Sequence, residues 1–157
     1  VSADDARRRE RVHIVAVLNT KRWNDPASPD DGARLLVARY RPRGVTREAE
    51  TWDSWLPQLG PSRGLHAAVY GKGQPPITWE DYRARYLEEM TAQRFWIDAL
   101  GQQMARGEVL TLLCSSACVD AQRCHRTLLR DLIVEASAPV VTAKSSARNP
   151  LVRRRSR

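Results

Sequence analysis

Apolar positions along the chain switch between short unbroken runs and helical spacing, and that switching sets the expected elements. Val12–Leu18 (VHIVAVL) is nearly continuous, the pattern of a strand covered on both faces, and is expected to be the first central strand of a parallel sheet. Lys21–Gly32 (KRWNDPASPDDG) is dense in Asp, Pro, Ser and Gly and reads as the loop leaving it; its Asp30-Asp31 pair suits capping or solvation better than cation binding. Ala33–Tyr40 (ARLLVARY) is a second strand, stopped by Pro42 and Gly44. Thr46–Leu59 carries Trp52, Trp55, Leu56 and Leu59 at three- and four-residue spacing behind a capping pattern, which predicts a short amphipathic helix. Pro61–Pro76 is expected to be a surface excursion with one helical turn. Thr78–Arg106 keeps Trp79, Tyr82, Tyr86, Met90, Ile97, Leu100 and Met104 on one face, with a break near Thr91–Gln93. Val109–Cys114 is a buried strand, the segment after Cys124 is a helix through Leu128, Leu129, Leu132 and Ile133, and Ala138–Thr142 is a last strand. This alternation predicts an α/β fold: a three-layer, Rossmann-like, mostly parallel sheet with helices on both faces.

At 157 residues the chain fits one domain, expected over residues 12–143, with a disordered lead at 1–11 and a disordered basic tail at 144–157. No apolar run approaches the roughly 20 residues of a membrane span, and the run after RRRER lacks a signal-peptide cleavage site. The formal net charge of +8 is concentrated in the tail, where Lys144, Arg148, Arg153, Arg154, Arg155 and Arg157 face no acid, so residues 1–143 net only +2. Any nucleic-acid contact is therefore expected of the tail, since no basic face shows on the body. Three clustered cysteines do not make a disulfide framework and point to a reducing cytoplasm. Valine at position 1 is expected of a GTG start codon in a GC-rich bacterial genome.

The strand, loop and helix of Val109–Ile133 (VLTLLCSSACVDAQRCHRTLLRDLI) hold all three cysteines, Cys114, Cys118 and Cys124, beside His125 and Arg126. LLC followed by Cys124-His125-Arg126 and an apolar helix resembles the signature of the bacterial domain-of-unknown-function family 488. The first half resembles its YeaO-like branch through SPDDGARLLVARYRPRGV (Ser28–Val45), the tryptophan segment Trp52–Leu59, LGPSRGL (Leu59–Leu65) and YRARYLEEM (Tyr82–Met90). Two motifs in the family's order, spanning most of residues 12–136, make the resemblance specific. Cys114 lies ten residues before Cys124, one or two more than the family's usual spacing, so Cys118 is a second candidate for the upstream position. The resemblance implies an α/β fold and a prokaryotic cytoplasmic protein, and it brings no reaction with it.

The residues themselves support three readings. In the first, Cys124 or Cys118 is an activated thiol: Asp120 caps a helix starting at Ala121, whose free N–H groups and dipole, with Arg123 or Arg126, lower a thiol pKa, while His125 carries a proton. The C-x5-R spacing of cysteine phosphatases is not met by Cys114 or Cys118, which disfavours a phosphatase. In the second, Cys114, Cys118, Cys124 and His125 hold zinc or iron, although C-x3-C-x5-C-H lacks paired C-x2-C knuckles. In the third the cysteines pack, the favoured role for Cys114 alone. Arg39, Arg41 and Arg43 either form an anion pocket or pair with neighbouring acids. His13 and His66, without companions, read as structural or exposed.

The leading expectation is a small thiol-dependent enzyme acting on an anionic metabolite or nucleotide at the carboxyl ends of the strands. Cys124 is its nucleophile or redox thiol, Cys118 the second candidate, His125 the acid/base, and Arg126, Arg39 and Arg43 the anion binders. The alternative is a non-enzymatic module that binds zinc or iron through the Cys/His set, or nucleic acid through the tail.

Overall fold

The computed structural model describes residues 17–138. The part of the first predicted strand at residues 12–16, nearly all of the last one at 138–142 and the basic tail lie outside the described residues. Four strands, β1 (Leu18–Arg22), β2 (Ala33–Leu36), β3 (Ser54–Trp55) and β4 (Leu110–Cys114), form one sheet in the order β1-β4-β2-β3, with every pair parallel. With the helices α1 (Arg63–Val69), α2 (Trp79–Thr91), α3 (Arg94–Ala105) and α4 (His125–Ser137) they make an α/β architecture consistent with a three-layer arrangement.

The last strand in the described chain is an inner one. Every residue of β4 is buried, and it pairs with β1 on one side and β2 on the other. The first strand, expected to be central, is instead at the edge: all five residues of β1, LNTKR, are half-buried, which is why its polar residues are tolerated. Strand periodicity then assigns the faces. Leu110 and Leu112 of β4, with Leu35 and Val37 of β2 and its extension, enter a core built from Leu65 of α1, Tyr82, Tyr86 and Met90 of α2, Ile97, Leu100 and Met104 of α3, and Leu129 and Ile133 of α4. On the opposite side Leu36, Ala38 and Leu113 pack with Trp52, and Trp23 and Val45 lean against them.

The helix predicted over Thr46–Leu59 does not form. The segment is a 3-10 turn at Arg47–Ala49, the short strand β3 and a second 3-10 turn at Pro57–Leu59. Its backbone bonds go to β2 instead of to itself: Asp53 N–H donates to Arg34 O at 2.8 Å and Leu56 N–H to Leu36 O at 2.8 Å. The two tryptophans that mimic a helix stripe have separate fates. Trp52 is buried edge-on to Trp23, with ring centroids 6.2 Å apart, while Trp55 is 40% exposed and its Nε1–H reaches Ala38 O. Downstream, the Pro61–Pro76 excursion contains two turns of helix, α1, and the Thr91–Gln93 break separates α2 from α3 as its pattern predicts.

The LGPSRGL and YRARYLEEM motifs meet each other. Tyr86 Oη–H donates to Leu59 O at 2.7 Å inside the core, and the Glu89 carboxylate accepts from Ser62 N–H at 2.8 Å and from its hydroxyl. Ser62 in turn caps α1 by accepting from Leu65 N–H. Tyr86→Phe leaves the buried Leu59 carbonyl unpaired, and a loss of about 1.5 kcal/mol in stability is expected from urea unfolding, with no change in slope.

Candidate active site

All four strands point their carboxyl ends the same way, and the cysteines gather at that end of β4. Cys114 is its last residue and is buried. A tight turn follows: Ala117 N–H donates to Ser115 Oγ at 3.1 Å and Cys118 N–H to Ser115 O at 3.1 Å, which folds Cys118 back over the strand end with its Sγ 3.2 Å from that of Cys114. Asp120 then caps, but only a 3-10 turn, Ala121–Arg123, by accepting from Gln122 N–H at 3.0 Å. The helix expected to start at Ala121 starts at His125 instead, with Cys124 as its N-cap residue, because the backbone at Cys124 is extended. Strand end, turn and helix cap thus bring three sulfurs within 4.8 Å of one another.

The sulfurs differ in access and in proton affinity. Cys124 is 2% exposed and Cys114 1%, whereas Cys118 is half-buried and faces a cavity. The hydrogen bond from Cys114 and the nearby Cys124 sulfur hold the Cys118 thiol far below the ordinary range, helped by His125 and Arg126. Cys114, the donor of that bond, is pushed up, and Cys124 is pushed up by its two neighbouring sulfurs and by burial. His125 is the first residue of α4, and its ring is buried 5.4 Å from that of Tyr86. A carbonyl only accepts, so Nε2 carries the proton that it gives to Val37 O at 2.9 Å, and Nδ1 faces the thiols, 3.9 Å from Cys114 Sγ. Burial alone opposes its protonation, but its bonds to Cys124 and Val37 raise its pKa overall.

The cavity holds about 250 Å³. Its floor is the three cysteines and His125; Tyr70, Trp79 and Tyr82 make an aromatic wall; Arg39 and Arg123 supply positive charge. A second opening of about 520 Å³ shares His66 and Ser115 with it and is lined by Tyr40, Arg43 and Lys72 among others. The structure therefore divides the Arg-Pro-Arg turn three ways. Arg39 lines the thiol cavity, Arg43 lines the neighbouring groove, and Arg41 is committed internally to Glu50 at 2.5 Å and to the face of Trp52. Arg126 lines neither opening. It lies behind the sulfurs, 5% exposed, and its Nε and one terminal nitrogen have no hydrogen-bond partner.

Two features escaped sequence reasoning. His66, read there as isolated, sits between Tyr40 and Tyr70, with centroids 4.9 and 4.8 Å away, and forms part of both openings. The i, i+4 spacing of His66 and Tyr70 was the available signal once α1 is helical. Cys124 does have an arginine six residues on, Arg130, but the intervening residues are helix and Arg130 turns to Asp131, so no phosphate loop results.

Residues 18–137, which include every group described above, match the profile of the active DUF488-N3 subclade. The chain belongs to the DUF488 family. Among DUF488 relatives, the uncharacterized protein YeaO of Escherichia coli K12 is 33% identical over 99 residues, covering 63% of this chain and 83% of YeaO. The uncharacterized protein Rv3073c of Mycobacterium tuberculosis H37Rv is 28% identical over 83 residues, 53% of this chain and 63% of that protein. No solved structure matches the chain. None of the helices among the described residues is long and apolar enough to cross a membrane.

Proposed function

We propose that this DUF488 protein is a thiol-dependent enzyme acting on an anionic small molecule, a metabolite or nucleotide, with Cys118 as the attacking sulfur. The observation that carries the reading is the asymmetry of the cluster: of the three sulfurs on the cavity floor, Cys118 is the half-buried one and accepts the hydrogen bond of buried Cys114, while Cys124 is buried beside it. Cys124, the first candidate from sequence, is then a buried neighbour of the nucleophile, within 4.8 Å of it, rather than the attacking sulfur. Arg39 and Arg123 hold the anionic group of the substrate. Cys118 Sγ supplies the electron pair of a new bond to the electrophilic atom, the leaving group departs with the pair of the bond it gives up, and water then releases the product and restores the thiolate. His125 is a positioning residue, because its Nε2–H is committed to Val37 O. Free thiols in this role suit a reducing cytoplasm.

Iodoacetamide labelling with peptide mapping tests this. A depressed pKa keeps the thiolate present as pH falls, so Cys118 is expected to label at pH 6 nearly as fast as at pH 8, whereas an ordinary cysteine slows about 80-fold over that interval. Cys118→Ser should remove the pH 6 labelling. An ordinary pH profile, or label found on Cys124, sinks the assignment.

A second reading has its own observation. Three Sγ atoms within 4.8 Å, beside an imidazole whose far N–H is anchored on a backbone carbonyl, fit a soft metal such as zinc or iron held by Cys114, Cys118, Cys124 and His125 Nδ1. That reading predicts near-stoichiometric metal in freshly purified protein and alkylation only after chelation. Metal-free protein that labels at once excludes it.

A further inference from the structure

The thiol cavity is too small to be a whole site. At about 250 Å³ it lies below the roughly 300–1,000 Å³ of pockets that enclose a drug-sized ligand. It has an aromatic wall of Tyr70, Trp79 and Tyr82 over a sulfur floor, and a larger ligand can extend past His66 and Ser115, which line both openings, into the neighbouring groove. That groove is twice the volume and differs in chemistry. Arg43 and Lys72 are exposed in it, and neither has an ion-pair partner among the described residues, in contrast to Arg41. Asp120 is the one carboxylate among the residues lining either opening. Tyr40, 47% exposed, lines the same groove, Tyr70, 53% exposed, lines the thiol cavity, and His66, packed against both, belongs to the two openings.

Cations that are free to bind, interleaved with half-exposed rings along an open groove, are what a flexible polyanion with flat bases requires. A globular carboxylate or phosphate metabolite would use the cavity arginines and leave Arg43, Lys72 and Tyr40 without work. We propose that the body of the protein binds single-stranded nucleic acid, with one nucleotide entering the thiol cavity and the flanking strand running over Tyr40, Arg43 and Lys72. This rests on the thiol-enzyme reading only for what happens to the inserted nucleotide; the groove contacts stand apart from it. It also moves the nucleic-acid surface from the tail, where charge counting alone puts it, to the folded domain.

Fluorescence anisotropy of the full chain with a labelled single strand of about a dozen nucleotides is the test, run as DNA and as RNA. Arg43→Ala with Lys72→Ala is expected to weaken binding about tenfold and to lower the slope of log affinity against log salt by about 1.4, the value for two phosphate contacts on a single strand. Tyr40→Ala is expected to weaken it about tenfold through lost stacking, with the salt slope unchanged. A bound strand should also shield Cys118 from iodoacetamide. The proposal is overturned if these variants bind like the parent while Arg153→Ser, Arg154→Ser and Arg155→Ser together abolish binding, or if a duplex binds as tightly as the single strand. Binding without protection of Cys118 overturns the inserted nucleotide. Unchanged thiol labelling in the groove variants separates the two readings, and strand binding by a protein whose Cys118 labels like an ordinary cysteine sinks the enzyme while leaving the groove.

Discussion

Gly32→Ala is expected to remove about 4 kcal/mol of stability, most of the margin of a small domain. Gly32 adopts φ 61°, and a Cβ there would lie 2.0 Å from the carbonyl oxygen of Val109. That oxygen is already the acceptor for Ala33 N–H at 3.0 Å, the bond that opens the β2–β4 ladder at Ala33 and Leu110. The substitution therefore strains the backbone and pushes apart the two inner strands. The preceding residue raises the cost: buried Asp31 accepts from Lys21 Nζ at 2.6 Å, from Ser28 N–H and from Arg34, while its own carbonyl takes the Thr111 hydroxyl at 2.7 Å. Gly44→Ala is the control. Its φ is 73°, but nothing lies near its missing Cβ, so only about 1 kcal/mol is expected. Urea midpoints of the two variants make the comparison, and equal losses would show that the contact with Val109 does not matter.

Arg126→Met is expected to act in the opposite direction on stability, raising it by about 2 kcal/mol, while it impairs the thiol. The Arg126 side chain is buried, two of its nitrogens lack partners, and no ion pair among the described residues balances it. A charge held in that way costs more than a hydrophobe of similar volume. What it gives in return is electrostatic: it stands behind the cluster and favours the ionised Cys118. The sign follows. Without the guanidinium the thiol pKa rises, so the pH midpoint of Cys118 alkylation should move upward as the urea midpoint also moves upward. A variant that gains stability and keeps its alkylation profile would strip Arg126 of any part in the chemistry.

How far the sequence could be read depended on whether a residue's destination was local. The Val109–Cys114 strand, the paired helices around Thr91–Gln93 and the apolar stripe of Leu129 and Ile133 were all readable, because each is encoded by a run or a period within its own segment. The tryptophan segment was not. Trp52 and Trp55 have helical spacing, yet the backbone between them hydrogen-bonds to β2, a partner that periodicity cannot see. The same holds at the site. Cys114, Cys118, Cys124 and His125 are neighbours in the chain and could be grouped on sight. The roles of Arg39, Arg41 and Arg43 could not be separated, since Glu50 and Trp52 claim one of them only after folding. His66 and Tyr70 join the site through the position of α1, which lies in a stretch whose glycines and prolines suggested loop.

The order of the strands has a consequence for how the molecule comes into being. β1 and β2 do not pair with each other; each pairs with β4, whose residues follow theirs by some seventy to ninety positions. On the ribosome, then, both must wait as orphan edges until residue 114 has emerged, a demand for distant contacts that slows assembly. Cys114, the last residue of β4, arrives with the strand that fills the gap, so the three sulfurs meet only once the sheet has closed.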